Sequence, residues 1–245
     1  MSKLADKIKK AMRVDSQPIG FGAAKSEQQP TMVLVASARA AGDAADLLKR
    51  GADVVLVGAA GAPASVDGAK GAERVLGAWI GGTREDEAKA FREAGFDFVV
   101  FDPDSAAATA LLDDQVGYVI SVPGDLSDTE VRTLEGFNLD ALYVGKIDGA
   151  LTVRRQMELR RLFAMTRKPL MAAVSGSIGA AELQALRDAN VAVVVAESPG
   201  EVEALRRTVD ALPPRARRRD GEDRPTPLVP RAAAADEHDH DDEDI

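Results

Sequence analysis

Cysteine is absent from all 245 residues, which excludes thiolate catalysis, disulfides and cysteine-ligated metals. Histidine is nearly absent too: His238 and His240 both fall near the C-terminus, so the body of the chain has none. That removes His-based triads, histidine general bases and the usual zinc sites from the body. Aromatic residues make up only 4% of the chain, so its core must be built from Ala, Val, Leu and Ile. No apolar run approaches the ~20 residues that span a bilayer. The opening MSKLADKIKK lacks the apolar stretch of a secretory signal, and a soluble cytoplasmic protein with no membrane partner is expected. Basic excess is lacking as well. A net charge of −9 argues against nucleic acid as a partner, because such binding needs a net basic face.

What is present is a rhythm. Apolar, β-rich runs occur at Met32–Ser37, Asp53–Gly58, Leu76–Gly81, Phe96–Asp102, Gly117–Val122, Asp140–Lys146, Leu170–Ser175 and Val191–Glu197. Helical stretches lie between them, at Gly42–Arg50, Arg84–Ala94, Ser105–Leu112, Ser127–Leu134, Leu151–Thr166, Ala180–Ala189 and Gly200–Leu212. Continuous apolar strands are buried on both faces, which is the pattern of a parallel sheet covered by helices. Gly51 and Gly95, and Asn190 in the same role, sit where a helix stops before a strand. Each suits the left-handed conformation of a helix C-terminus. Ser127 followed by Glu130 reads as a capping box. Repeating helix–strand units with eight strands predict an α/β fold, a closed (βα)8 TIM barrel over 31–212. An open doubly wound sheet is the competitor.

The flanks read differently. Leu4, Ile8 and Met12 recur at helical spacing, predicting an amphipathic helix that docks across one end of the barrel, followed by a QPIGFG loop, so 1–30 is a helix plus loop. The Gly- and Ala-rich segment Ala59–Val75 predicts an irregular second βα unit. From Pro213 onward the chain is proline-rich and charged, and 213–245 is expected to be a disordered acidic tail. Its two histidines suit solvent better than a metal, because no rigid second shell surrounds them.

Active sites of such barrels form at the C-terminal ends of the strands. Those ends carry Ser37 and Arg39, Asp102 and Asp104, Ser121 and Asp125, Lys146 and Asp148, Ser175 and Ser177, and Glu197. Strand alternation groups Leu142, Val144 and Lys146 on one face, Phe98, Val100 and Asp102 on another, and Val191, Val193, Val195 and Glu197 on a third. On this reading Lys146, Asp102 and Glu197 converge over the mouth. A lysine against an apolar wall, or near Arg39, has its pKa lowered and becomes a nucleophile, with Asp102 or Glu197 shuttling protons. The plainer reading is an ion pair of Lys146 with Asp102, Asp148 or Glu197. A third has Lys146 hold a phosphate or a flavin anion such as FMN. Asp102-Pro103-Asp104 suits a turn better than a Mg²⁺ site. The loop Ser175-Gly176-Ser177-Ile178-Gly179 can either present N–H groups to a phosphate or serve as a plain strand-to-helix turn, and Glu197 in the partner loop would repel an anion. Arg154, Arg155, Arg160 and Arg161 with Glu158 read as a solvated face or the subunit contact of a homo-oligomer.

On YVGKIDG and SGSIGAAELQALRDANVAVVVA the span from Thr31 to Leu212 resembles the aldolase-type TIM barrels, a superfamily. Class I aldolases and the dihydrodipicolinate synthase group look similar in placing a Schiff-base lysine at the end of strand six, the position of Lys146. The tyrosine of those synthases has no clear counterpart here, and the first strand ends in Ser37 rather than an acid. Phosphate-binding barrels, flavin-dependent ones included, look similar at Ser175–Gly179 and differ at the eighth strand. The resemblance implies a lyase or aldolase-like enzyme that forms a Schiff base with a small carbonyl acid and needs no cofactor. The alternative is a non-catalytic barrel that binds a phosphorylated or flavin-like ligand, or a protein partner.

Overall fold

The computed structural model describes residues 2–13, 30–58, 74–81, 85–122 and 124–215. Eight parallel strands close on themselves: β1 (Val33–Ala38), β2 (Val54–Gly58), β3 (Leu76–Trp79), β4 (Phe98–Phe101), β5 (Gly117–Ser121), β6 (Ala141–Ile147), β7 (Leu170–Val174) and β8 (Val191–Ala196). β8 pairs with β1, so no open edge remains and the doubly wound alternative is set aside. The helices are α1 (Lys3–Met12), α2 (Ala44–Lys49), α3 (Glu85–Glu93), α4 (Asp128–Thr133), α5 (Val153–Thr166), α6 (Ala180–Asp188) and α7 (Val202–Asp210). Each strand lies within a residue or two of its expected span. The helix expected over Ser105–Leu112 is instead a short 3-10 turn, Ala108–Leu112. The QPIGFG loop, the body of the irregular segment after β2 and the tail from 216 lie outside the described residues.

Helix ends follow the local chemistry anticipated for them. Gly51 and Gly95 have φ of +102° and +98°, and Asn190 has φ of +68°. Ser127 caps α4, with Glu130 accepting its N–H at 2.7 Å.

Alternation along the strands sorts the apolar residues into two cores. Outward residues such as Leu34, Val55, Val99, Ile120, Leu142 and Val174 pack beneath the helices. Inward residues such as Val35, Leu56, Phe98, Val119, Met171 and Val195 fill the barrel. α1 adds Leu4, Ile8 and Ala11 to the inner core. Lys3 pairs with Asp97 at 3.1 Å, and Ser2 bonds Asp140, both just ahead of a strand. α1 therefore plugs the N-terminal end of the barrel, which leaves the opposite end as the place for a candidate site.

The inner core is packed by size complementarity. A Cβ on Gly77 would lie 2.2 Å from the Phe98 ring. Glycine on β3 is thus what lets the ring of β4 cross the barrel interior. Gly77→Ala should destabilise the chain by ~1–3 kcal/mol through overpacking. Adding Phe98→Leu should recover part of that cost in a double-mutant cycle followed by chemical denaturation, whereas additive costs would contradict this packing.

Candidate active site

The mouth is shaped by an irregularity in β6. Tyr143 is in register with Met171 and Lys146 with Ala173, so three steps on β6 match two on β7. Gly145 takes φ of +79°, a backbone conformation that side chains disfavour. The extra residue reverses the alternation. Leu142 and Val144 face outward into the helix layer, while Tyr143 packs on the barrel's inner core. Lys146, next to inward Ala173, then falls on the same side as Tyr143. The expected grouping of Lys146 with Leu142 and Val144 is therefore corrected. The Val144 carbonyl is held from outside by Arg155 Nη2 at 2.9 Å. A second shift at the start of β8 turns Val191 outward while Val193 and Val195 remain inward, correcting that grouping as well.

Lys146 and Glu197 meet at the mouth. Nζ lies 2.7 Å from Glu197 Oε2 and 3.6 Å from Asp148 Oδ1. Hydrogen bonding and attraction from Glu197, then attraction from Asp148, raise the Lys146 pKa above the ordinary lysine value. The expected lowering by an apolar wall or by Arg39 is overturned: the amine rests as a half-exposed, paired ammonium.

Tyr143 is the site residue that alternation alone misses. Its ring meets Trp79 edge-on, with centroids 4.8 Å apart. Partial burial and then the nearby Glu197 charge raise its pKa, with Lys146 pulling the other way. Ser121 is its register partner on β5. The isolated glycine within an apolar run was the available signal, because such a glycine often marks a bulge.

The other expected residues divide. Asp102 is exposed, and its Oδ1 accepts the Asp104 N–H at 3.0 Å, so it forms a turn and is not among the partners of Lys146. Ser37 is the last residue but one of β1, on the face of Val35, and Arg39 is exposed just beyond the strand. Ser175 and Ser177 bond each other at 2.9 Å. The Gly176 N–H donates to Glu201 Oε1 at 3.0 Å. Among the described residues no group of three or more His, Asp or Glu could hold a metal. Arg161 is engaged by Asp128 and the Leu126 carbonyl, and Arg154 and Arg155 both pair with Glu158, so three of the four arginines on α5 serve the chain itself. The small cleft lined by Val144, Arg155, Glu158 and Arg161 lies on the outer side of the barrel wall. No helix among the described residues is long and apolar enough to cross a membrane.

Gly145→Ala should cost about 1–2 kcal/mol, because an L residue is placed in left-handed backbone. Trp79 is the sole tryptophan, so its emission reports whether the Tyr143 contact loosens in the same variant. Unchanged stability and emission would contradict the bulge.

No family model and no curated protein matches the sequence. Solved structures match the fold. A 3-keto-L-gulonate-6-phosphate decarboxylase from Vibrio cholerae aligns with a TM-score of 0.57 at 16% identity, covering 75% of this chain and 99% of that one. A phosphoribosyl anthranilate isomerase from Thermus thermophilus aligns at 0.53 and 15%, covering 73% and 98%. A tryptophan synthase from Mycobacterium tuberculosis aligns at 0.54 and 12%, covering 73% and 92%. At these identities the likeness is one of fold, and the chain is a (βα)8 TIM barrel.

Proposed function

We propose that the barrel mouth is the active site of a lyase-type enzyme acting on a small carbonyl-bearing acid, with Lys146 as its central group. The observation that carries this reading is the 2.7 Å Lys146–Glu197 pair, set beside Tyr143 at the C-terminal ends of the strands. That is the end at which barrels of this architecture do their chemistry. The decarboxylase, isomerase and synthase among its structural neighbours lend support only by analogy of fold.

The charge state favours an electrostatic role first. An ammonium and a phenol both donate hydrogen bonds, and both suit a carbonyl oxygen that gains negative charge. Glu197 is the carboxylate at hand to accept a proton from the carbon beside that carbonyl. In this scheme the C–H bond breaks, its electron pair moves toward the carbonyl oxygen, and the proton rests on Glu197 until it is returned. The substrate's own carboxylate is drawn to Lys146.

The Schiff-base route is the second reading, and the direct contact with Glu197 is what favours it. Glu197 would take the ammonium proton, the freed amine would add to the carbonyl, and water would leave as the imine forms. The raised Lys146 pKa opposes this step in the resting protein.

Exchange of the protons beside the carbonyl of pyruvate, 2-oxobutyrate and 2-oxoglutarate into D2O, followed by proton NMR, tests the proposal. The protein should catalyse exchange of at least one of them, and Lys146→Ala or Glu197→Gln should each reduce it by ~100-fold or more. Borohydride treatment with mass spectrometry separates the two routes. An adduct on Lys146 selects the imine, and its absence alongside exchange selects the ammonium. Neither exchange nor adduct would overturn both, in favour of a barrel that only binds.

A further inference from the structure

The loops after β7 and β8 are where barrels of this architecture commonly seat a ligand's phosphate. Here both loops donate a backbone N–H to the same internal carboxylate. Glu201 Oε1 accepts from Gly176 at 3.0 Å, and Glu201 Oε2 accepts from Ser198 at 3.2 Å. The Ser198 contact belongs to the capping box of the 3-10 turn Pro199–Glu201 that leads into α7. The Gly176 contact is not needed for capping, because it comes from a different loop, 25 residues away in sequence. The approach is close enough to demand glycine. A Cβ at Gly176 would lie 2.8 Å from Glu201 Cβ and Cγ, and 3.2 Å from its Cα. Backbone N–H groups of this kind are the donors an anionic oxygen seeks.

We propose that Glu201 is a built-in anion that fills the seat between these two loops, so that the mouth selects a ligand carrying no phosphate there. Two physical effects act together. The carboxylate consumes the N–H donors that a phosphate would need. Its charge also repels an incoming anion. The same exclusion applies to a flavin anchored through its phosphate. Specificity at the mouth then rests on the Lys146 side, where the cation lies. The inference stands whether or not Lys146 is catalytic.

The test is a titration of inorganic phosphate into the full chain at constant ionic strength, with chloride as the reference, followed by the amide NMR signals of Gly176 and Ser198. In the wild type both signals should stay where chloride leaves them. In Glu201→Ala both should shift saturably, with phosphate held at least about tenfold more tightly than by the wild type. Should Glu201→Ala fail to fold, Glu201→Ser opens the same seat and is read in the same way. Saturable phosphate shifts at these two amides in the wild type would overturn the proposal, as would their absence in a folded Glu201 variant with the seat opened. Failure of the lyase reading would show in proton exchange and would leave these amide signals unaffected.

Discussion

In a closed ring of strands a side chain points either into the barrel or out toward the helices, and one inserted residue reverses the choice for everything beyond it. Gly145 is that residue. Without it, plain alternation from inward Tyr143 would send Lys146 into the apolar layer beneath the helices, where an unpaired ammonium is costly. With it, the lysine stands at the open end of the barrel with Glu197 and Tyr143. The glycine tolerates the left-handed backbone that the bulge requires, and Arg155 holds the neighbouring carbonyl from the other side of the wall. The plug formed by α1 at the opposite end completes the arrangement by closing off the barrel floor.

The chemistry of the mouth is governed by where its carboxylates sit. Glu197 pairs with Lys146 and raises its pKa, and Glu201 occupies the N–H groups of the adjacent loops. On the proposed reading, a mouth with one paired ammonium, a phenol and these two carboxylates takes a small acid by its own carboxylate at the lysine. The proposed role of Glu201 excludes a ligand held by phosphate at the loops after β7 and β8. The half-exposed pair is of modest worth to folding in any case, since exposed ion pairs are weak. Its value lies in fixing a protonation state and an orientation.

The architecture was legible in the sequence because each strand is a continuous apolar run and each helix end carries its own stop signal, as at Gly51, Gly95 and Asn190. These are local patterns, and local patterns survive into the fold. The site was legible only in part. Lys146 and Glu197 were visible as polar residues at strand ends, and Asp102 was equally visible as a residue of a turn. Tyr143 was hidden because its inclusion depends on how β6 registers against β7, a pairing between distant segments. The same holds for Val191, where a register shift overrides simple alternation. Glu201 reads locally as a helix-capping residue, and only the approach of the Gly176 loop gives it a second role. The charge state of Lys146 was left undecided by the sequence, because pairing or isolation of its amine depends on which carboxylate the folded strands bring near it.

The central claim, that Lys146 rests at the mouth as an ammonium held by Glu197, is tested most directly by following the Lys146 side-chain NMR signal against pH in the full chain. A raised pKa keeps the proton bound as pH climbs, so Lys146 should still be protonated where the side chain of a free lysine in the same buffer has begun to lose its proton. In Glu197→Gln its titration should fall back toward that of free lysine. A Lys146 that titrates with or below free lysine, or that ignores the loss of the Glu197 charge, would contradict the account.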